Sequence, residues 1–290
     1  VMKIESKGAK VFQVVDVAVL SVLGLLVLIP DYLIFIGSFT DESAFLVHGY
    51  SLWPSQWSLE AYGSVFATGS NIFQSLVSSV IITLSGTAIQ VTVTTLTAFG
   101  LSRRNLFGKK ALMLILLFSM LFSGGLVPTY IWIAGNLHLR NNYLAVILPG
   151  ALNAWNCILT INYLRGVPQE MEEAAKLDGC GCWKMFFLIY VPVSVPIIAT
   201  ITLFAAVQYW NIWAEPTLYF DSNHRNMLPL TALLREIIQE DISPTGGNVR
   251  GVSETVKMAT VVVATVPIIC VYPFLQKYFM SGLMLGSVKG

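Results

Sequence analysis

Six long apolar stretches, separated by polar segments, dominate the pattern of the chain. They lie at about 11–39, 73–101, 111–134, 143–164, 186–213 and 256–278. A helix needs about 20 apolar residues to cross the roughly 30 Å of hydrocarbon in a bilayer. The first stretch is too long for the core of a secretory signal, about 7–15 residues, so it is interpreted as a retained helix. The pattern therefore predicts an all-α membrane protein with six transmembrane helices, organised as a single domain over residues 1–290.

Basic residues are distributed unevenly between the polar segments. If the N-terminus is cytoplasmic and the spans alternate, the cytoplasmic side holds most of the 17 lysines and arginines, including Arg103, Arg104, Lys109 and Lys110 in one short loop. Cytoplasmic loops carry such an excess of Lys and Arg. Both termini are therefore predicted to be cytoplasmic, with an outer loop at about 219–255 in which the apolar spacing of residues 229–240 predicts a short surface helix.

Composition supports the membrane interpretation and excludes other functions. Hydrophobic residues make up 55% of the 290 residues and charged residues 11%, whereas a soluble domain has about 25% charged residues. The net charge of +1 gives no general attraction to nucleic acid. The four cysteines are too scattered for a disulfide framework, and Cys180 and Cys182 lack the second ligand pair of a structural metal site. Membrane lipid is therefore expected as a partner, and neither nucleic acid nor a metal is.

The second stretch carries small hydroxyl residues on one helical face. They recur at multiples of four positions, at Ser75, Ser79, Thr83, Thr87 and Thr95. Small polar residues let helices approach closely in lipid and bond across the contact. A packing seam is favoured over a stripe that binds solute.

The segment between the fourth and fifth stretches, about 165–185, predicts a short helix. Pro168 suits the first helical position, and Glu170 and Glu172 lie where the helix dipole favours anions. Gly179 suits the left-handed position that ends a helix. About eleven residues result, which are too few and too charged to span a bilayer, so the helix is expected at the cytoplasmic face. One side of it is small and flat enough for a partner protein, and comprises Met171, Ala174, Ala175 and Asp178.

Spaced residues in this segment resemble a known loop. The run Glu173-Ala174-Ala175, followed by Gly179, Ile189 and Pro192, is similar to the EAA loop of ABC importer permeases. Asp178 and Pro196 resemble the pattern of the carbohydrate branch of that family. Two further segments, the end of the second stretch and residues 272–279, are similar to the second permease of polysaccharide and oligosaccharide importers, including alginate-type systems. This resemblance implies that the chain is the maltose-system G-type half of a permease heterodimer. Cys180 departs from the pattern, because the family usually has Ala there.

The resemblance implies a type I ABC importer permease fold and a division of labour. The residues implied to couple the chain to an ATPase are Glu173, Ala174, Ala175, Lys176, Leu177, Asp178 and Gly179. The implied partners are a second homologous permease, two ATP-binding cassette subunits and an external solute-binding protein. No cofactor is expected on this non-catalytic chain, because ATP and Mg belong to the ATPase subunits and the sequence has no G-x-x-x-x-G-K-[ST] loop. The implied location is the bacterial inner membrane.

The solute and its path are less determined by the sequence. Aromatic and amide side chains suit sugars, and the candidates are Tyr130, Trp132, Asn153, Trp155, Asn156, Tyr209, Trp210, Asn211 and Trp213. For the Trp and Tyr residues, interfacial anchoring is an equal alternative. The resemblance implies an oligo- or polysaccharide, and a non-sugar solute stays open. An ion-coupled secondary transporter is disfavoured because the span centres lack ionisable residues, and an enzyme or scaffold because no catalytic cluster exists.

Overall fold

The computed structural model describes residues 7–103, 106–242 and 252–287. Within these ranges the regular structure is helical, and an isolated β-bridge pairs Thr40 with Trp57. The all-α prediction is therefore confirmed for the described chain. Lys3, Arg104, Arg250 and Lys289 lie outside the described residues, as do residues 243–251 of the predicted outer loop.

The helices follow one another in short and long pieces. In chain order they are α1 (Lys7–Ser38), α2 (Glu42–His48), α3 (Glu60–Val65), α4 (Asn71–Ser102), α5 (Lys109–Leu121), α6 (Leu126–Tyr130), α7 (Leu144–Ile147), α8 (Ala154–Arg165), α9 (Gln169–Leu177), α10 (Cys182–Met185), α11 (Val191–Val193), α12 (Val195–Trp210), α13 (Ala214–Tyr219), α14 (Leu230–Ile242) and α15 (Glu254–Ser287). Two π-helical segments (Ile131–Asn136, Phe186–Tyr190) and two 3₁₀ segments (Leu148–Gly150, Ser222–Met227) lie between them.

Three of the predicted spans are continuous and three are bent. Among the described residues, Phe12–Ser38, Asn71–Ser102 and Glu254–Val271 are long and apolar enough to cross a bilayer. Each of the other predicted spans is a pair of helical segments, bent by 115° after α5, 44° before α8 and 80° before α12. The chain therefore has three membrane-spanning helices by length and composition, or up to six if each bent pair is one span.

Glycine and proline explain where the bends occur. Gly124 and Gly125 lie in the break after α5, and Gly125 has a φ of 84° that residues with a Cβ rarely adopt. Pro149 lies in the 3₁₀ segment before α8. Pro192 and Pro196 flank the sharp turn into α12, where each removes a backbone N–H donor from the helix.

Helix α1 exposes its apolar side chains on all sides from Phe12 to Ile29, whereas Ile36 near its C-terminal end is buried. Phe12, Leu20 and Val27 are 72%, 59% and 69% exposed, and none of the residues in its most apolar window is buried. A helix that is hydrophobic around its whole circumference belongs in a protein core or in lipid. In the described chain α1 has the surface of a lipid-facing helix.

The chain contains two compact units, Val1–Ser70 with Gln239–Val263, and Asn71–Ile238 with Ala264–Gly290. In the first unit, the Glu42 carboxylate accepts hydrogen bonds from the backbone N–H groups of Glu254 and Thr255, at 3.2 and 3.0 Å. These groups begin α15, where a helix favours an anion. Partial burial would raise the pKa of Glu42, but the bonds from Thr255 and Glu254 outweigh it, so the pKa lies below its usual value.

In the second unit, α4 packs against α8 and α12. Two buried apolar clusters lie along α4, one containing Ala98 and Phe99, the other Ile82. Ile82 and Ala98 are sixteen positions apart, or about 24 Å at a rise of about 1.5 Å per residue. The two clusters therefore contact different parts of the same helix, one near its middle and the other near its C-terminal end.

The predicted helix at 229–240 is present as α14. Hydroxyl side chains of α4 form hydrogen bonds with the backbone at the first residue of α14 and just before it. Ser79 Oγ accepts a hydrogen bond from the Leu230 backbone N–H at 2.7 Å, which satisfies a donor that the helix leaves free. Ser78 Oγ donates to the Asn226 carbonyl at 2.8 Å. Ser75 and Ser79 are buried, as expected of a packing seam.

Candidate functional site

The short helix predicted between the fourth and fifth stretches exists as α9 and ends in a Schellman motif. Gly179 has a φ of 70°, as its place at the helix end predicts. The Cys180 N–H bonds the Ala175 carbonyl at 2.9 Å and the Gly179 N–H bonds the Lys176 carbonyl at 3.1 Å, which is the pair of bonds that defines this motif. Pro168 precedes the helix as its N-cap and is not its first residue.

One part of the predicted docking side of α9 is wrong. Ala175 is only 6% exposed and packs into the cluster around Ala98 and Phe99, so it faces the protein body and cannot touch a partner. Cys180 packs against the same cluster, at the position where a Schellman motif commonly makes an apolar contact. This contact explains why a small residue suits position 180. The exposed side of α9 carries Ala174 and Leu177, and Leu177 is 90% exposed.

Arg103 joins the end of α4 to α9. Its guanidinium Nη1 lies 2.7 Å from a Glu172 carboxylate oxygen, and its Cζ lies 4.0 Å from the Phe99 ring centroid and 4.2 Å from that of Tyr190. The Tyr190 hydroxyl donates to the same carboxylate at 3.3 Å. Cation–π contacts of this kind are strongest where water is excluded. We call Phe99, Arg103, Glu172, Lys176 and Tyr190 the Arg103 cluster.

The charges of the Arg103 cluster determine the ionisation of Glu172. Lys176 Nζ lies 2.8 Å from its second carboxylate oxygen, one turn further along α9. Partial burial would raise the pKa of Glu172, but the hydrogen bond from Lys176 and the positive charges of Arg103 and Lys176 outweigh it, so the pKa is lowered. Glu172 is therefore an anion at neutral pH, and it holds two cations from different elements.

A cavity of about 710 Å³ opens beside the Arg103 cluster. Basic and acidic side chains line it, together with Cys180, Cys182 and Met185; the charged ones are Arg103, Lys109, Arg165, Glu172, Glu173 and Lys176. Glu173, Lys176 and the exposed side of α9 thus border one open, polar surface. Such a surface can receive a segment of another protein.

Three of the candidate pathway residues are packing residues in this structure. Tyr209 is fully buried and its hydroxyl donates to the Ile147 carbonyl at 2.8 Å. Trp210 is 7% exposed and its Nε1 donates to the Ala264 carbonyl at 2.9 Å. Asn156 is 3% exposed within α8. Burial of these side chains among helices removes them from the candidate pathway, contrary to expectation.

The other candidates are accessible but do not form one site. Trp132 borders a separate, mostly apolar cavity of about 530 Å³, and Trp155 is exposed on α8. Tyr130 stacks on Tyr219 with ring centroids 5.7 Å apart. Trp213 lies under the Arg235 guanidinium, 3.5 Å from Cζ to the ring centroid, and Asn211 donates to the Val207 carbonyl. Asn153 Nδ2 donates to Oε1 of Gln208 at 3.4 Å, and Gln208 is not among the nine candidates.

The sequence did not predict the contact between Arg103 and Glu172, nor the contact of Gln208 with Asn153. In the sequence, Arg103 was recognised only as a basic loop residue that indicates orientation. Glu172 was recognised only as an anion near the start of a helix. The Glu172–Lys176 pair was readable from its spacing of four, as was the Phe99–Arg103 pair. The contact between these two pairs depends on how α4 and α9 pack, which the spacing does not give. No pattern in the sequence indicated Gln208 as a functional residue.

Comparisons with known proteins identify the family and its relatives. A family model described as "Binding-protein-dependent transport system inner membrane component" matches residues 61–284. The polygalacturonan/rhamnogalacturonan transport system permease protein YtcP of Bacillus subtilis (strain 168) is 40% identical over 287 residues, 97% of this chain and 99% of that protein. Protein LplC of the same organism is 38% identical over 290 residues, 98% of this chain and 97% of LplC.

Solved structures show the same fold. A chain of a bacterial ABC transporter involved in the import of the acidic polysaccharide alginate superposes with a TM-score of 0.85 at 27% identity, covering 96% of this chain and all of that one. A chain of a bacterial alginate ABC transporter in complex with alginate pentasaccharide-bound periplasmic protein gives a TM-score of 0.58 at 14% identity, covering 91% of this chain and 92% of that one.

Proposed function

The chain belongs to the family of binding-protein-dependent transport system inner membrane components, and from this we propose that it is one permease subunit of an ATP-driven carbohydrate importer. With a second, homologous permease it forms a translocation pathway for an oligo- or polysaccharide. An external solute-binding protein delivers the solute, and two ATP-binding cassette subunits supply the energy. The chain itself is non-catalytic and binds no cofactor; ATP and Mg are held by the ATPase subunits.

The observation that carries this proposal is the link from α9 to α4 through Arg103. A coupling helix must present an exposed side to the ATPase and be fixed on its other side to a spanning helix. α9 does both, since Leu177 is exposed while Ala175 is buried and Glu172 is paired with Arg103 at 2.7 Å. Movement of α9 therefore acts on α4, and two arrangements of the spanning helices alternate the access of solute to each side.

Orientation and topology complete the proposal. The chain works as a single permease domain with six spans in the bacterial cytoplasmic membrane, in which each bent helix pair counts as one span. Both termini and α9 face the cytoplasm, as the excess of basic residues beside α4, α5 and α9 favours. Glu173, Ala174, Lys176, Leu177, Asp178 and Gly179 contact or support the ATPase, and Ala175 holds α9 to the protein body.

The substrate class follows from the relatives. YtcP is named for polygalacturonan and rhamnogalacturonan, and the structural neighbour at 27% identity imports the acidic polysaccharide alginate. We propose an oligosaccharide that contains acidic sugars as the transported solute. A non-sugar solute is the second candidate, and uptake assays with both classes separate them.

Glu173→Ala tests the coupling role. The complete transporter, purified with its partner permease, ATPase and binding protein, should hydrolyse ATP faster when solute-loaded binding protein is added. We expect the variant to lose most of this stimulation, or to lose the ATPase during purification. Lys110→Ala, at an exposed position in the first turn of α5, is the control and should behave like the unaltered chain.

A second measurement addresses the energy source. Uptake into membrane vesicles should stop when ATP is depleted while a proton gradient is maintained. Uptake that continues under those conditions would contradict the proposal and favour an ion-coupled transporter.

A further inference from the structure

Three amide side chains from three helices meet near the middle of α4. Gln90 of α4 lies eight positions from Ile82 and eight from Ala98, midway between the two buried clusters. The other two are Gln208 on α12 and Asn153 at the start of α8. We call these three residues the amide cluster. Gln90 is the 20th of the 32 residues of α4.

The contacts of the amide cluster converge on one atom. Gln208 Oε1 accepts hydrogen bonds from Gln90 Nε2 and from Asn153 Nδ2, each at 3.4 Å. Asn153 is held in turn, because its Oδ1 accepts the Asn156 backbone N–H at 3.1 Å and caps α8. In this arrangement Gln208 Oε1 faces its two neighbours, and its Nε2 is directed away from them.

The hydrogen bonding of the cluster is incomplete. Both bonds to Gln208 are longer than the usual N–H···O distance of about 2.9–3.0 Å. Gln90 is 1% exposed, and its Oε1 has no hydrogen-bond partner in the described chain. A buried polar group without a partner costs about 1–3 kcal/mol, whereas replacing both partners of a hydrogen bond by apolar groups of the same shape can be nearly neutral.

One side of the cluster is open and close to backbone. Gln208 is exposed and Asn153 is half-buried. Gln208 Nε2 lies close to the Gly150 backbone, where an added Cβ would come within 3.3 Å of it and within 2.7 Å of the Tyr209 hydroxyl. The cluster thus has a buried, fixed side at Gln90 and an accessible N–H₂ donor at Gln208.

We propose that Gln208, oriented by Gln90 and Asn153, is a specificity-determining residue that donates a hydrogen bond to an oxygen of the passing solute. This inference rests on the proposed function and names a contact within it. The matching solute group is a sugar hydroxyl or an acidic sugar's carboxylate. Because the donor is a neutral amide, it binds either oxygen without trapping an anion by full charge, which suits a path that must release its solute.

Two substitutions at Gln208 test the proposal in the complete transporter. The probe is a galacturonate oligosaccharide delivered by the binding protein, and uptake into proteoliposomes is measured with increasing concentrations of loaded binding protein. Gln208→Ala removes the donor and should lower uptake about two- to tenfold, as expected for one lost hydrogen bond. Gln208→Glu keeps the size but exchanges the donor for an anion, and should lower uptake of this acidic probe more than the alanine does.

Controls separate this inference from the proposed function. Asn223→Ala changes an exposed amide in the Ser222–Met227 segment and should leave uptake unchanged. Since Gln208 is exposed, the variants should assemble with the ATPase, and co-purification checks this. If both Gln208 variants assemble and transport within twofold of the unaltered chain, the inference is wrong while the transporter function stands. If the unaltered complex shows no ATP-driven uptake of oligosaccharide, the proposed function itself fails.

Discussion

At the scale of single residues, Arg103 combines three kinds of interaction in one guanidinium. It lies over two aromatic rings that meet edge to face, pairs with Glu172 and approaches the Met185 sulfur at 3.6 Å. A planar guanidinium can stack and form an ion pair at the same time, whereas a lysine ammonium cannot reproduce this arrangement. The side chain is 18% exposed, so solvent weakens these contacts only partly.

Arg103→Lys is therefore expected to impair coupling although it keeps the charge. Loss of the two contacts between the guanidinium and the rings should destabilise the Arg103 cluster, which joins α4 to α9, by about 1–2 kcal/mol. ATP-driven uptake should fall while the ATPase still co-purifies. Arg140→Lys, the same change at an exposed position, is the control, and equal uptake by the two variants would contradict a role for the stacked guanidinium.

Asp221 is a second residue whose surroundings make a specific prediction. His224 Nδ1 lies 2.7 Å from its Oδ1, and Asn141 Nδ2 donates to Oδ2 at 2.8 Å. The hydrogen bonds with His224 and Asn141 lower the pKa of Asp221 from 3.8 to about 2. Because the folded-state pKa is the lower one, the carboxylate stabilises the fold above about pH 4, and this contribution is lost as the pH falls toward 2.

Asp221→Asn should remove that part of the pH dependence. The melting temperature of the purified transporter should fall more steeply for the unaltered chain than for the variant between about pH 4 and pH 2. Glu60→Gln, at an exposed carboxylate in α3, should keep the steep fall. Parallel curves for the unaltered chain and Asp221→Asn would show that the contacts of Asp221 do not contribute.

At the scale of helices, the close approach of α4 and α12 depends on Gly86. A Cβ at this position would lie 2.8 Å from the ring carbons of Tyr209. Tyr209 cannot move aside easily, since it is fully buried and its hydroxyl bonds the Ile147 carbonyl. Small residues at such contacts bring helix backbones together in a membrane.

Gly86→Ala is expected to destabilise the protein by about 1–3 kcal/mol through overpacking. Gly100→Ala is a matched control on the same helix, where an added Cβ meets nothing within 4 Å. That change should be neutral or stabilising by up to about 1 kcal/mol, because alanine favours helices. Thermal unfolding of both variants measures the difference, and equal stabilities would contradict the packing argument.

The sequence predicted the locations of the elements better than their continuity. Apolar length placed α1, α4 and α15, and the caps at Pro168 and Gly179 placed α9 to within a few residues. The three bends were not predicted, because Pro192 and Pro196 are compatible both with a kinked helix and with a break. Which side of α9 is buried was also not predictable, since Ala174 and Ala175 are alike and only the position of the cluster around Phe99 distinguishes them.

At the scale of the whole molecule, the orientation in the membrane is open to direct measurement. Phe107 is 98% exposed between α4 and α5, and Ser222 is exposed beyond α13. In a cysteine-free background, a membrane-impermeant thiol reagent should label Phe107→Cys only in inside-out vesicles and Ser222→Cys only in intact cells. Labelling of Phe107→Cys in intact cells would overturn the orientation.

The exposed apolar surface of α1 has a consequence for how the sequence can diverge. Side chains such as Phe12, Leu20 and Val27 require only a hydrocarbon solvent, which accepts Leu, Val, Ile or Phe almost equally. Drift among these residues should therefore be nearly free in α1. Gly86, in contrast, has no space for a side chain. Homologous sequences should therefore keep glycine at this position while the residues of α1 vary.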